Sequence, residues 1–149
     1  MKGSQYIAKF LKAIGANKVF QVQGGAISFL VDQIALEEGM EVICFQHEQA
    51  AAMAADALWR TNGQLGVSMA TSGPGATNLV TPLADAQMDS VPVVAITGQV
   101  NSTSIGTDAF QEADIRGITM PVTKHNFLVT DAGDIPHAIA SAFHIASTG

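Results

Sequence analysis

The chain has 149 residues, 48% hydrophobic and 13% charged, with a mean hydropathy of +0.27. That length fits one domain with a core of its own, and so apolar a composition excludes a disordered chain. Seven basic against thirteen acidic residues give a net charge of −6, with no basic stripe for nucleic acid and no apolar run near the ~18 residues of a membrane span.

A single cysteine, Cys44, excludes an internal disulfide framework, and no residues take metal-ligand spacing. The first residues run straight into an amphipathic pattern rather than a signal peptide. These features predict a cytoplasmic domain without nucleic-acid or membrane partners. The high apolar fraction also points to some surface being buried against another chain.

In chain order, Tyr6, Ile7, Phe10, Leu11 and Ile14 recur at helical spacing, with Ser4 as the expected N-cap and Gly15 as the stop. A strand follows over 18–22, ended by Gln23-Gly24-Gly25. Residues 27–37 read as a helix with Phe29, Leu30, Ile34 and Leu36 inward. A second strand covers 41–45. An alanine-rich helix covers 47–60 and stops at Thr61-Asn62-Gly63. A third strand, 66–71, leads through the tight loop 72–75 into a helix over 76–88, with Asp85 and Asp89 toward solvent. The run 91–96 is almost continuously apolar, as a strand buried on both faces should be. Residues 98–111 lack periodicity and read as a loop. A helical turn over 113–118, a strand over 120–124 and a helix from Asp134 to Ser147, with Pro136 in its first turn, complete the chain.

Strands alternating with helices predict parallel βαβ units: an α/β fold of three layers, α/β/α, around a central parallel sheet. Ligands in such sheets bind beyond the carboxyl ends of the strands. That rule selects the loops 22–26, 45–48, 71–75 and 97–111.

Those loops carry the residues that could do chemistry. Gly73-Pro74-Gly75-Ala76-Thr77-Asn78 nearly matches the dinucleotide fingerprint G-x-G-x-x-G, with Asn78 at the third glycine, but the next strand ends in Thr97-Gly98-Gln99 without the acidic residue such sites use. A tight strand-to-helix turn explains it as well. Glu48 directly follows a strand and opens the alanine-rich helix. A carboxyl there is either a helix-start acid favoured by the dipole or a proton donor and acceptor held in an apolar cleft. Spacing alone leaves both open. His47 reads as a loop hydrogen-bonder, with no second histidine placed for zinc. Gly24 and Gly25 allow close approach of backbone to a ligand. The polar loop 98–111, with Asp108, Phe110, Gln111 and then Glu112, is long enough to suggest function, or else a plain connector. Ser72 lacks the G-x-S-x-G context of a hydrolase nucleophile. His125, His137 and His144 are scattered and read as structural. The alanines from 50 to 57 suit close helix packing or a dimer interface.

Several of these stretches together resemble one family. They are Phe45-Gln-His47-Glu48-Gln49 with the following alanines to Asp56, then Thr71-Ser-Gly-Pro-Gly-Ala-Thr-Asn78, then 88–100, then Gly106-Thr-Asp-Ala-Phe-Gln-Glu112, and Thr123-Lys-His125. In order and spacing they are similar to the thiamine-diphosphate enzymes of the acetolactate synthase type, over essentially the whole chain. The resemblance implies the N-terminal domain that holds the cofactor's aminopyrimidine ring. It implies that Glu48 hydrogen-bonds a ring nitrogen and so promotes loss of the thiazolium proton. It further implies decarboxylation of pyruvate and addition of the two-carbon unit to a second 2-keto acid, as in branched-chain amino acid biosynthesis. Val22, Gln23, Gly24 and Gly25 match the turn that contacts the cofactor; Thr71, Pro74 and Asn78 match the neighbouring loop and helix start; Phe110 and Gln111 match loop residues near the reacting centre and substrate.

The family shares its site between two subunits, so the resemblance implies a homodimer or larger homo-oligomer. It leaves room for FAD and for a small regulatory subunit. It also implies a middle domain and a Gly-Asp-Gly…Asn domain that binds Mg²⁺ and the diphosphate. Neither is found in residues 1–149, so the expectation is a fragment without carboligase activity of its own, the alternative being a stand-alone dimerising or regulatory module. Where the family commonly reads Phe-Gly-Tyr-Pro-Gly-Gly, this chain reads Phe20-Gln21-Val22-Gln23-Gly24-Gly25. Relatives with other acceptors, including keto-sugars, vary at this turn.

Overall fold

A computed structural model describes residues 1–149. Helix α1 (Gly3–Ala13) precedes strand β1 (Lys18–Gln21), helix α2 (Ser28–Ala35) and strand β2 (Glu41–Cys44). Helix α3 (Glu48–Asn62) leads to strand β3 (Gly66–Ala70), followed by the short helix α4 (Pro74–Thr77), helix α5 (Val80–Met88) and strand β4 (Val93–Thr97). A short helix α6 (Ile115–Thr119) and the final helix α7 (Ile135–Ser147) close the chain.

The four strands form one parallel sheet in the order β2-β1-β3-β4. Alternate side chains separate two cores, as the two-residue period of a strand requires. Val19, Val67 and Met69 face α1, α2 and α7, where Leu11, Ile34, Ile139 and Phe143 pack. Phe20 and Ala70 face the other side and pack against α3 and the start of α5. The three-layer α/β/α expectation holds. Because β1 connects outward to β2 while β3 connects outward to β4, the strand order reverses between β1 and β3. The loops leaving these two neighbours part over opposite faces and open a crevice at their carboxyl ends.

The central strand β3 is buried at all five residues. Its first residue, Gly66, lies under α3: a Cβ there would stand 2.1 Å from the Ala55 carbonyl oxygen. Ala51, Ala52 and Ala55 are buried against the sheet for the same reason, since only small side chains let a helix backbone approach this closely. The alanine run is therefore a packing face, and it fixes where α3 begins. At the other end, Gly63 takes the left-handed conformation and donates its N–H to the Trp59 carbonyl at 2.8 Å, the usual glycine stop.

Several sequence expectations need correction. Residues 120–124 form no strand: Met120–Val122 is a 3-10 turn. Pro121 has no N–H for a ladder, and the Thr119 and Thr123 hydroxyls donate to carbonyls four residues back, at 2.7 and 2.8 Å, prolonging the helical winding. The strand expected over 91–96 starts later, at Val93, and lies at the sheet edge, so it is mostly half-buried. The strand covered on both faces is β3. On α2 the inward stripe is Ile27, Leu30, Val31 and Ile34, leaving Phe29 82% and Leu36 78% exposed. Helix 76–88 is two helices, parted at Asn78 and Leu79. Helix α1 is capped from Lys2, whose N–H donates to Gln5 Oε1 at 3.1 Å, with Ser4 inside the first turn.

Candidate functional site

Glu48 is the first residue of α3, set at the mouth of the β1/β3 crevice by the packing of Ala51 and Ala55 on the sheet. His47 is the N-cap, and its Nδ1 accepts from the Gln49 N–H at 3.1 Å. This is the local hydrogen-bonding role expected of it. The Glu48 side chain is half-buried. Its Oε2 accepts a hydrogen bond from Asn78 Nδ2 at 2.9 Å, across 30 residues of sequence. The break between α4 and α5 falls at Asn78, whose side chain reaches α3. Glu48 Oε1 lies beside Gly75, within 3.2 Å of where a Cβ would stand, and accepts no hydrogen bond from the chain. One carboxyl oxygen is thus pinned and the other is left with its lone pairs available.

Thr71 joins the two strand ends. Its hydroxyl accepts from the Ala26 N–H at 3.4 Å. A Cβ at Gly24 would fall 2.4 Å from the Thr71 Cβ, and one at Gly75 would fall 2.7 Å from its Cγ2. The turn after β1 and the turn after β3 can touch only because both present glycine to this threonine. Gly25, next to the contact, meets nothing within 4 Å. The Ser28 hydroxyl donates to the Gly24 carbonyl at 3.0 Å and steadies the turn.

The loop 98–112 closes the far side. Gly73, at φ +58°, abuts Gln111: a Cβ there would lie 2.3 Å from the Gln111 carbonyl oxygen. Both its backbone conformation and its contact demand glycine. Gln111 itself has φ +61° and Asp108 φ +56°, so the loop bends sharply twice. The carboxylate of Glu112 accepts from the N–H groups of Gly106, Thr107 and Ala109. Those backbone donors, Gly106 first and then Ala109, hold the Glu112 carboxyl below the usual carboxylate range.

The structure therefore brings Gly24, Glu48, Thr71, Asn78 and Gln111 around one crevice. The other expected site residues make none of these contacts. Gln23 turns to Ser28, with Nε2 donating to its Oγ at 3.3 Å. Val22 is half-buried, Pro74 is exposed at the start of α4, and Phe110 is 90% exposed at the rim. Gly73 and Gly75 belong to the walls, although only their turn was legible in the sequence. Gly98 packs against Ala26, 2.5 Å from Cβ to Cβ were it an alanine, and ties the loop after β4 to the turn after β1. No signal in the one-dimensional pattern marked it.

The comparisons with known proteins fit this geometry. The family described as "Thiamine pyrophosphate enzyme, N-terminal TPP binding domain" matches residues 1–118. The chain is 56% identical to the acetolactate synthase of Mycobacterium leprae (strain TN) over 149 residues, all of this chain and 24% of that protein. It is 51% identical to the acetolactate synthase isozyme 2 large subunit of Escherichia coli (strain K12), again over all of this chain and 27% of that protein. With the acetolactate synthase 2, chloroplastic, of Zea mays it shares 49% over 148 residues, 99% of this chain and 23% of that protein. The chain spans about a quarter of the length of the curated relatives it matches.

Proposed function

The chain belongs to the thiamine pyrophosphate enzymes, through their N-terminal TPP-binding domain, and from that premise we propose that it is the pyrimidine-binding part of an acetolactate synthase. The reaction would join pyruvate, after decarboxylation, to a second 2-keto acid. The observation that carries the reading is the Glu48 carboxyl: half-buried, anchored by Asn78 through Oε2, with Oε1 unengaged beside a glycine wall. An aminopyrimidine ring fits such a place. It is flat, so it suits a crevice walled by Gly24, Gly25 and Gly75, and its ring nitrogen can share a proton with a carboxyl oxygen.

When bound, thiamine diphosphate supplies the carbon centre that adds to a keto group and holds the charge left as carbon dioxide departs. The chain's own residues do the rest of what happens here. Glu48 Oε1 holds or passes a proton at the ring nitrogen. Asn78 fixes the carboxyl plane, so little reorientation accompanies the transfer. Thr71 and the glycines keep the turns together and leave room for the ring. Gln111, set against Gly73, would stand beside the opening through which a 2-keto acid enters.

In this reading Mg²⁺, the cofactor's diphosphate and any FAD are held by the remainder of the enzyme, and the setting is cytoplasmic. A second copy of the chain would cover the crevice. Phe29 and Met88, 82% and 84% exposed, are large apolar side chains that a protomer or a neighbouring domain would bury. No helix is long and apolar enough to cross a membrane. The test is acetolactate formation from pyruvate with thiamine diphosphate and Mg²⁺. We expect turnover from a complete synthase carrying this domain and none from residues 1–149 alone. Turnover by the 149-residue chain, or a complete enzyme indifferent to the cofactor, would refute the reading.

A further inference from the structure

Glu112 has no place in the proton chemistry, yet its carboxylate gathers more backbone donors than any other side chain in the site. Oε2 accepts from Thr107 N at 3.2 Å and from Ala109 N at 3.0 Å, while Oε1 accepts from Gly106 N. The Glu112 N–H donates in turn to the Ala109 carbonyl at 2.9 Å. The segment between these bonds contains both left-handed non-glycine residues of the loop, Asp108 and Gln111. Such conformations cost free energy and persist only where surrounding bonds hold them. Without the carboxylate, three converging N–H groups would have only water to accept from them, and nothing in the chain would hold the loop on this path.

From this geometry we infer that Glu112 is a positioning residue: its carboxylate closes the loop 106–112 and thereby sets Gln111 against Gly73, beside the Glu48 crevice. The inference rests on the reading of that crevice given above. The link from clamp to site is short. Gln111 immediately precedes Glu112, and its backbone lies so near Gly73 that no side chain fits between them. Gly73 begins the turn that carries Gly75 to Glu48. Releasing the clamp frees Gln111 and the exposed Phe110, while Glu48 keeps its own anchor through Asn78. The defect should fall on handling of the 2-keto acid and spare cofactor activation.

Two measurements test this. Amide hydrogen exchange on the 149-residue chain reads the clamp. In Glu112→Gln, the amides of Gly106, Thr107 and Ala109 should exchange about tenfold faster, with those of β1 and β3 unchanged. Glu112→Asp, which keeps both acceptor oxygens, should recover part of the protection. Unaltered exchange in Glu112→Gln would overturn the inference. In a complete synthase carrying this domain, Glu112→Gln should lower kcat/KM for pyruvate by about tenfold, while proton exchange at the cofactor's thiazolium carbon keeps its native rate. An unchanged kcat/KM would overturn the positioning role, and so would an equal loss of proton exchange, which would mark general damage. Failure of the acetolactate synthase reading would show differently, as a native protein indifferent to thiamine diphosphate with the loop clamp intact.

Discussion

Glu48 stands on the first turn of a fifteen-residue helix pressed onto the central strands, whereas Gln111, across the 71–75 turn, stands on a loop whose bends close on one carboxylate. The first is positioned by packing. Ala51, Ala52 and Ala55 are buried, and Gly66 leaves room for the α3 backbone, so the helix can hardly shift without opening the core. The second is positioned by hydrogen bonds at the surface, where water competes for every donor. A site built this way joins a rigid acid to an adjustable rim. On the proposed function, the acid would meet a fixed ring nitrogen and the rim would admit and release substrate.

The rigid side yields the largest expected effect. Gly66→Ala places a Cβ 2.1 Å from the Ala55 carbonyl oxygen, and α3 would have to lift from β3. We expect a loss of about 3 kcal/mol in urea-induced unfolding, at the upper end for overpacking, together with displacement of Glu48. At the junction, Gly73→Ala meets both a left-handed backbone and the Gln111 carbonyl. A loss of about 2 kcal/mol should appear by the same assay, with chemical-shift changes spreading to 106–112 and leaving α3 in place. The smallest effect sharpens the contrast. Asn78→Ala removes the bond to Glu48 Oε2 and should cost about 1 kcal/mol. The carboxyl should then sample more than one orientation in NMR relaxation while the 106–112 loop stays as it was. Coupled changes in both regions for Asn78→Ala would show that they are not independently held.

Much of this is legible in the sequence. The alternation of elements, the parallel sheet and the four loops at the strand ends follow from hydrophobic periodicity and from glycine and proline placement, which act locally. Glu48, Thr71, Asn78 and Gln111 were marked by their place after strands and by the family resemblance. What the pattern hid was tertiary. The full burial of β3 and the half-burial of β4 depend on sheet order, which a short apolar run does not encode. Phe29 and Leu36 look inward by spacing, but α2 has only eight residues and its rotation is set by Ile27 and Ile34 against α1 and the sheet. The bond from Asn78 to Glu48 and the contact of Gly98 with Ala26 join residues far apart in the chain. Glu112 was visible as a loop acid, but its role needed the positions of three backbone amides.

The most direct measurement is the rate of proton exchange at the thiazolium carbon of bound thiamine diphosphate, in a complete synthase carrying this domain, native and Glu48→Gln. The account predicts a fall of about 100-fold or more, with cofactor still bound and thermal stability unchanged. An exchange rate equal to the native one in that variant would contradict the role assigned to the Glu48 carboxyl.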